Sequence, residues 1–464
     1  MDFYQNRCST TSGFNRKAVT FQIVEHAGLL YINRNEEGGC MSVKKWFIAW
    51  SAFFSICLIS SQALAANVTL RYLCYGDGSE CEVFRDLLDR FEAKNKGIKV
   101  VIDKVGYSVI REQLETRLEA GEGPDMARIT NLGGLNKYYL DLSPYVNKRY
   151  WEENFAATLP WMRANKNDKG IYGWLTQLTV TGPYINKTMF DKAGVAVPKA
   201  GATWDEWAAA TRKVQDKLDL YAGMVMDRSG HRLAGPAMSM GAKYFDKNGN
   251  PAVIDQGFKE MVKRMIKWHA EDLMPQDVWP AASGAKWKNG GDMFINEDVA
   301  FHMSGSWMIG KYASAIGDKF EWIAIPQPCG PGGCSGMPGG AAMVSFKQTK
   351  HPKEVAKVME YCTSEPVLRE YYERTLQIPA HKGLAKKGLN YGKDVSPAAA
   401  AALQAYTDNF QKILPQAHAL QGYSKGFAIY NSTVNYVSQA ITGDLTEKEA
   451  YKKIEEEIAA ALKN

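Results

Sequence analysis

Between Val68 and Ile129 the sequence alternates strand patterns with helix patterns, and this alternation restricts the possible folds more than any other feature. Three strands are predicted, at Val68 to Cys74, Ile98 to Val105 and Met126 to Ile129. Between the first two strands lies an amphipathic helix whose apolar face carries Val83, Phe84, Leu87, Leu88 and Phe91. A second helix is predicted from about Val109 to Glu119. The order strand, helix, strand, helix, strand predicts an α/β fold with a parallel sheet.

Residues 41–65 have the composition of a secretory signal peptide. Lys44 and Lys45 form a basic region, and an apolar run extends from Phe47 to Ser61. Ala63-Leu64-Ala65 supplies the small-residue cleavage pattern. The apolar run is too short for a helix that spans a membrane. We therefore expect export to the periplasm with cleavage near Ala65.

Residues 1–40 lack clear periodicity and end in Asn-Glu-Glu-Gly-Gly-Cys, directly before Met41. Purine-rich codons for Glu-Glu-Gly-Gly resemble a ribosome-binding site. We therefore interpret residues 1–40 as a mis-annotated upstream extension, with the true start at Met41. Cys57 could suggest a lipoprotein, but the bulky Ile56 before it does not suit lipid attachment.

The length after cleavage predicts two domains. Residues 66–464 exceed one compact core. Residues 1–65 carry six of the 56 Lys and Arg residues and four of the 50 Asp and Glu residues, which leaves 50 against 46 and a net charge of +4. A charge this small and scattered argues against nucleic-acid binding.

Five cysteines follow the predicted cleavage site. In an oxidising compartment, close pairs are candidates for disulfides. Cys74 and Cys81 flank a short polar loop, and Cys329 and Cys334 bracket Gly-Pro-Gly-Gly, so we expect one disulfide in each loop. Cys362 is expected to be buried on a helix. We expect no metal site, because zinc needs four ligands and no histidine lies near these pairs.

The segment from Asn296 to Ala313 contains the most prominent candidate for a binding residue. A turn at Asn296 to Asp298 precedes a predicted strand at Val299 to Met303, and a helix is predicted to begin at Met308. Ligands of open α/β sheets bind at the carboxyl ends of strands. Trp307 is therefore expected to face a cleft, although a role in a core is the alternative.

The chain is expected to cross between domains three times. The first crossing is placed near residues 171–187, which are predicted to form two short extended pieces. The second is placed at a predicted strand at Phe320 to Ile325, and the third lies near Gln377 to Pro379. Residues 203–320 are mostly helical patterns, residues 352–375 are predicted to form one long helix, and Thr203/Glu206 and Thr446/Glu449 predict capping boxes.

Several local sequences resemble the family 1 extracellular solute-binding proteins of bacterial ABC importers, which include maltose-binding protein. These are RFEAKNKGIKVVID, LEAGEGPDMARI, YGWL followed by PYINKTMFDKAGV and TWDEW, MFINEDVAFHMSGSWMIG, HPKEVAKVMEYCTSEPVLREYYE and LQIPA. The resemblance implies a type II periplasmic binding protein fold, with two α/β lobes joined by hinge crossovers. The N-terminal lobe would comprise residues 66–178 and 325–377, and the C-terminal lobe residues 179–324 and 378–464.

In this family the lobes close on the ligand, so binding residues are expected from both. In the first lobe, Tyr75 and Asp77 could bind sugar hydroxyls, with a polar surface turn as the alternative. The resemblance also implies contacts from Thr130 and Asn131. Near the first crossing the candidates are Thr176, Gln177 and Thr179.

In the second lobe, Trp307 matches the sugar-stacking tryptophan of the family, since an aromatic face packs on the C–H face of a pyranose. Gly339 and Gly340 could present backbone groups to a ligand or form a turn. Further candidates are Arg228, His231 and Tyr430. Trp287 has no counterpart and is expected to pack only.

The resemblance implies the substrate-binding component of an ABC transporter, which delivers a carbohydrate to an inner-membrane permease with its ATPase. We expect a monomer without catalytic residues or cofactors. A secreted glycoside hydrolase and a chemosensory sugar receptor are the alternatives. The acids that hold glucose in maltose-binding protein are not matched here, so maltose is a poor candidate ligand.

Overall fold

The computed structural model describes residues 67–165, 167–281, 286–392 and 395–463. The expected upstream extension, signal peptide and cleavage site lie outside these residues. Within them, no helix is both long enough and apolar enough to cross a membrane.

One open sheet of eight strands organises the described part of the chain. The strands are β1 (Val68–Cys74), β2 (Ile98–Lys104), β3 (Met126–Ile129), β4 (Gly173–Asn186), β5 (Ala222–Met226), β6 (Val299–Gly305), β7 (Trp322–Ala324) and β8 (Pro338–Ser345). Their order is β2-β1-β3-β8-β4-β6-β5, and β7 also pairs with β4. β1 runs parallel to both β2 and β3, which confirms the parallel sheet predicted for the start of the domain.

Strand β4 links the two ends of the sheet. Its first part pairs with β8, and its last residues pair with β6 and β7. The two short extended pieces expected here are thus one strand of 14 residues with an irregularity between Leu175 and Gln177. Pairing on both edges keeps the strand extended through Gly182 and Pro183.

Seventeen α-helices cover the sheet in the described residues. They are α1 (Glu80–Lys94), α2 (Tyr107–Glu112), α3 (Leu114–Glu119), α4 (Lys148–Phe155), α5 (Lys187–Ala193), α6 (Trp204–Leu218), α7 (Gly230–Ser239), α8 (Gln256–Ala270), α9 (Gly290–Ile295), α10 (Ile309–Ile316), α11 (Pro352–Thr363), α12 (Glu365–Thr375), α13 (Lys382–Lys387), α14 (Pro397–Phe410), α15 (Pro415–Gln421), α16 (Gly426–Thr442) and α17 (Glu447–Lys463). Short 3-10 helices lie at Asn136–Tyr138, Leu159–Met162, Gln276–Val278 and Ser306–Met308.

Two helices expected to be continuous are broken. The helix predicted from 109 to 119 is split into α2 and α3 at Gln113. The helix predicted over 352–375 is split at Ser364, whose backbone is extended. Pro366 lacks the N–H that would bond the Cys362 carbonyl, so a new helix begins there. Both predicted capping boxes are present, at Thr203 with Glu206 and at Thr446 with Glu449.

The buried residues form two hydrophobic cores, and the fold is two-lobed. The first core contains Phe84 and Trp174, and the second contains Trp204 and Phe301. Cys362 is buried in the first core, as expected. Each aromatic side chain buries a large apolar area, so each lobe has its own source of stability.

Leu175 packs in the first core and Val180 in the second, so the chain passes between the cores within the first expected crossing. Ile325 and Met337 both pack in the second core, whereas Ala341 packs in the first. The second passage therefore lies at Pro338 to Gly340 rather than at residue 325. Ile378, inside the third expected crossing, packs in the second core, whereas Ala380 and Leu384, after the expected boundary at 377, pack in the first.

Candidate functional site

A cleft of about 820 Å³, counting its open mouth, lies between the two cores. It is lined by Tyr75, Asp77, Tyr107, Arg111, Thr130, Gln177, Thr179, Ser229, Gly230, His231, Arg232, Trp307, Gly339, Gly340, Ala341, Gln421, Phe427, Tyr430, Asn431 and Val434. The lining combines aromatic faces with hydroxyl, amide and charged groups. Such a mixture is typical of pockets for small polar ligands.

The loop after β1 forms the wall on the side of the first lobe. It carries Tyr75 and Asp77, and it is closed by the Cys74–Cys81 disulfide. The fully buried Arg128 on β3 donates a hydrogen bond of 2.8 Å to the Tyr75 carbonyl, and its guanidinium carbon lies 4.1 Å from the Tyr75 ring centroid. The loop is thus fixed from behind by a buried cation.

Asp77 presents the carboxylate on this wall. Burial raises its pKa to about 6, against the opposing attraction of Arg128, and the nearby Glu80 adds to the rise. Arg128 Nη2 donates to Asp77 Oδ2 over 3.4 Å. At neutral pH the carboxylate is ionised, so it can accept hydrogen bonds from ligand hydroxyls.

Tyr107, at the start of α2, extends the aromatic surface of the first lobe. Its ring centroid lies 4.9 Å from that of Tyr75 with the planes tilted by 45°. Its hydroxyl lies 2.8 Å from Thr130 Oγ1, just after β3. Thr130 and Tyr107 together therefore place two hydroxyl groups at the cleft.

Trp307 forms the wall on the side of the second lobe, in the turn after β6. A Cβ at Gly305 would lie 2.1 Å from the indole, so glycine is needed for the ring to fold over the strand end. The guanidinium carbon of Arg232 lies 4.1 Å from the indole centroid. Trp307 is only 8% exposed, and it both packs on the second core and lines the cleft.

A buried polar network supports Arg232 from behind. Asp227 accepts hydrogen bonds from His302 Nε2 over 2.8 Å and from Ser304 Oγ over 2.6 Å, and Arg232 Nε lies 3.8 Å from Asp227 Oδ2. Burial would raise the pKa of Asp227, but His302, Arg232 and Ser304 outweigh it and lower the pKa to about 2. Asp227 is therefore a permanent anion that positions the arginine.

His231 connects the second lobe to strand β8, which is one of the two strands, with β4, that pass between the cores; we call β4 and β8 the hinge strands. Its Nε2 lies 3.1 Å from the Pro338 carbonyl, and its Nδ1 lies 3.4 Å from Arg232 Nη1. Burial, reinforced by the charge of Arg232, lowers its pKa to about 3. The neutral ring can therefore donate from Nε2 to the carbonyl and accept at Nδ1.

Residues of the two hinge strands form the floor of the cleft. Gln177 and Thr179 on β4 pair with Ala341 and Gly339 on β8, and all four residues line the cleft. A Cβ at Gly340 would lie 2.4 Å from the Gln177 carbonyl oxygen, so only glycine allows the strands to approach this closely.

The two lobes touch each other at the mouth of the cleft. Arg111 Nη2 donates to Asn431 Oδ1 over 2.6 Å, and its guanidinium lies 5.9 Å from the Phe427 ring. A Cβ at Gly133 would lie 2.9 Å from the Cα of Ser424. Because Arg111 and Gly133 belong to the first lobe and their partners to the second, the structure is a closed arrangement.

Ten of the thirteen residues expected at the site line this cleft: Tyr75, Asp77, Thr130, Gln177, Thr179, His231, Trp307, Gly339, Gly340 and Tyr430. Three do not. Asn131 accepts from Gly134 N and lines a smaller neighbouring pocket, and the buried Thr176 donates to the Ala341 carbonyl. Arg228 donates to the Pro280 carbonyl and packs on Trp287.

Several lining residues were missed by sequence reasoning. Phe427, Asn431 and Val434 share one face of α16 with the predicted Tyr430, and their spacing of three and four residues could have indicated this face. Arg232 directly follows a predicted residue. Arg111 had no signal in the sequence, because its role depends on lobe closure.

The second disulfide lies away from the cleft. Cys329 and Cys334 are joined as predicted, and neither lines the cavity. Among the described residues, no group of three or more His, Cys, Asp and Glu side chains could hold a metal ion.

Residues 77–367 match the family model described as bacterial extracellular solute-binding protein. The multiple sugar-binding protein of Streptococcus mutans is 23% identical over 333 residues, which are 68% of this chain and 75% of that protein.

Solved structures of the same fold include a maltose-bound MalE3 from T. maritima, with 19% identity, a TM-score of 0.70 and coverage of 85% of this chain and 99% of that one. Another is an ABC transporter solute-binding protein from Thermotoga lettingae bound with α-D-tagatose. It has 21% identity, a TM-score of 0.70 and coverage of 84% of this chain and 98% of that one. At these identities the similarity concerns the fold.

Proposed function

The chain belongs to the bacterial extracellular solute-binding protein family, and from this premise we propose that its cleft captures a sugar or sugar derivative for an ABC importer. The observation that carries the proposal is the composition of the cleft. Aromatic faces and hydrogen-bonding groups converge on it from both lobes, with Tyr75 and Asp77 opposite Trp307 and Arg232.

The chemistry of the lining suits a hydroxylated ring. Trp307, Tyr75 and Tyr107 all line the cleft, and aromatic rings pack against the C–H groups of a sugar. Asp77, Thr130 and Gln177 offer acceptors and donors for hydroxyls. A ligand that touches both walls stabilises the closed state, because it binds that state more tightly than the open one.

Binding without turnover is favoured over hydrolysis. Glycoside hydrolysis requires two carboxyl groups that flank the scissile bond. Asp77 supplies the single carboxyl group among the residues that line the cleft in the described chain. The Thermotoga lettingae protein of the same fold is named a solute-binding protein, and the T. maritima protein is described with maltose bound.

The family is extracellular. A binding protein of an ABC importer also needs a membrane permease as its partner. We propose that the monomer is exported by the peptide at residues 41–65, cut near Ala65, and docks the closed lobes on an inner-membrane permease driven by an ATPase. The multiple sugar-binding protein of Streptococcus mutans and the tagatose-bound protein support a carbohydrate as the cargo.

The test is incubation of the purified protein with a panel of radiolabelled mono- and oligosaccharides, followed by gel filtration and analysis of the sugar. We expect one sugar to be retained at a one-to-one ratio and recovered intact. Recovery of cleaved sugar would support an enzyme instead, and failure of every sugar to be retained would overturn the proposal.

A further inference from the structure

Two arginines, Arg111 and Arg232, line the cleft, and within the described residues neither donates a hydrogen bond to a carboxylate. The Arg111 guanidinium donates to the neutral amide of Asn431. Arg232 Nε lies 3.8 Å from Asp227, beyond hydrogen-bond distance, and the oxygens of Asp227 already accept from His302 and Ser304. Both cations therefore retain donors for another acceptor.

The helix behind Arg232 adds to the positive potential. α7 is ten residues long, and Gly230, His231 and Arg232 of its first turn line the cleft. This turn contains no acidic residue, and among the described residues the side chain of Ser229 makes no capping hydrogen bond. Backbone N–H groups at the start of a helix favour an anion. Asp227, whose carboxylate lies 3.8 Å from Arg232 Nε, offsets the charge of that arginine, and the N–H groups of the first turn add to the positive potential beside it.

A buried hydroxyl in the same corner lacks a partner. Tyr430 is 7% exposed and lines the cleft, and among the described residues its hydroxyl has no hydrogen-bond partner. Its ring lies edge-on to His231, with centroids 5.4 Å apart. The Nε of Arg232 is also buried without a partner within the described chain. A buried donor without a hydrogen-bond partner costs free energy. We therefore expect an acceptor atom of the ligand to bind the Tyr430 hydroxyl and the Arg232 Nε–H.

We propose that the cleft selects sugars that carry one anionic group, which is held by Arg232, the first turn of α7 and the hydroxyl of Tyr430. This inference rests on the proposed function and specifies its ligand class. A carboxylate or a phosphate ester supplies the same chemistry, because either can bind a guanidinium through two oxygens.

The positions of the acidic side chains near the cleft agree with an anion-binding site on the second lobe. Asp77 faces the cleft from the first lobe, and Arg232 contributes a favourable charge to it. A ligand anion is therefore placed against the second lobe, while Asp77 receives the hydroxyls. Glu80 and Arg128 lie behind Asp77 and interact with each other, and Arg228 adds a further positive charge beside Arg111.

The test is isothermal titration calorimetry with matched neutral and acidic probes: glucose with glucuronate and glucose 6-phosphate, galactose with galacturonate, and glycerol with glycerol 3-phosphate. Inorganic phosphate and acetate test whether a free anion suffices. For the best scaffold we expect the acidic form to bind at least about tenfold more tightly than the neutral form, which corresponds to about 1.4 kcal/mol.

Variants of Arg232 test whether this residue causes the preference for acidic sugars. Arg232→Gln should reduce the ratio of affinities to less than about threefold, while Arg232→Lys should retain part of it. Arg264→Gln, which removes a charge from α8 outside the cleft, should leave the ratio unchanged. Circular dichroism confirms that each variant is folded.

The outcomes separate this inference from the proposed function. Neutral sugars that bind as tightly as their acidic forms, or a ratio that Arg232→Gln leaves unchanged, overturn the inference but retain the sugar-binding function. Binding of phosphate or acetate alone at the affinity of the acidic sugar also overturns it. Failure of all neutral and acidic sugars overturns both proposals.

Discussion

The guanidinium of Arg111 donates a hydrogen bond of 2.6 Å to the side-chain oxygen of Asn431, and the two residues belong to different lobes. Both also line the cleft. The contact therefore joins the lobes directly beside the space where a ligand is proposed to bind. Closure of the lobes and binding of a ligand in the cleft are therefore coupled: a ligand that fills the cleft favours the closed lobes.

Replacement of Gly133 by alanine should hinder closure. The new Cβ would lie 2.9 Å from the Cα of Ser424 in the other lobe, and backbone atoms cannot move aside easily. We expect the affinity for the cognate sugar to fall by roughly tenfold, or about 1.4 kcal/mol, with little change in the melting temperature of the free protein.

Calorimetry and thermal unfolding measure both quantities. Gly106→Ala is the matched control, because its Cβ would have 3.7 Å to the nearest atom, Ser108 Oγ. Equal affinities of Gly133→Ala and the unmodified protein would show that this contact is unnecessary for binding.

Replacement of Trp307 by alanine should remove one wall of the cleft. Loss of a central aromatic contact typically costs about 2 kcal/mol, so the affinity should fall by roughly thirtyfold. Trp287→Ala is the control, because this side chain is 44% exposed and does not line the cleft. Titration calorimetry at a temperature where both variants are folded tests the difference. Unchanged affinity of Trp307→Ala would contradict a stacking role.

Removal of the two disulfides should have different effects on binding. Each closes a short loop, with cysteines separated by seven and five positions, and each should stabilise the fold by roughly 2 kcal/mol. Only the Cys74–Cys81 loop carries cleft residues, Tyr75 and Asp77.

We therefore expect Cys74→Ser/Cys81→Ser to lower both the melting temperature and the affinity, and Cys329→Ser/Cys334→Ser to lower the melting temperature alone. Calorimetric binding curves and thermal unfolding of both variants test this. Loss of affinity in the second variant but not in the first would contradict the assignment.

Protonation of His231 should destabilise the protein in mild acid. Burial and then the charge of Arg232 lower its pKa to about 3 in the folded protein, whereas an unfolded histidine has a pKa of about 6.5. Between these values the unfolded chain binds more protons, so stability is complete above the unfolded pKa and is lost as the pH falls toward the folded pKa.

His231→Gln can keep a donor to the Pro338 carbonyl but cannot titrate. Its free energy of unfolding should fall less between pH 7 and pH 5 than that of the unmodified protein, by about 1–2 kcal/mol. Urea unfolding at the two pH values measures this, and an identical fall in both proteins would contradict the account.

The sequence predicted those features that depend on local pattern. The strands β1 to β3 follow from apolar alternation, and the capping box at Thr203 follows from the glutamate three positions later. The disulfide loops follow from cysteine spacing. Trp307 was found because a strand end and a family motif coincide at one position.

Features that depend on tertiary contacts could not be predicted in this way. The continuity of β4 through Gly182 and Pro183 results from pairing on both edges with β6, β7 and β8. Arg111 reaches the cleft only because Asn431 in the other lobe approaches it. Arg232 acquires its position from the buried Asp227 and the face of Trp307.

The central claim is that the two lobes grip a small hydroxylated ligand between them, with Trp307 as one wall. A crystal structure of the protein with the tightest-binding sugar of the panel tests this most directly. We predict density for the sugar in the cleft, with contacts to Trp307 in one lobe and to Tyr75 or Asp77 in the other. A sugar bound elsewhere, or held by one lobe with the indole untouched, would contradict the claim.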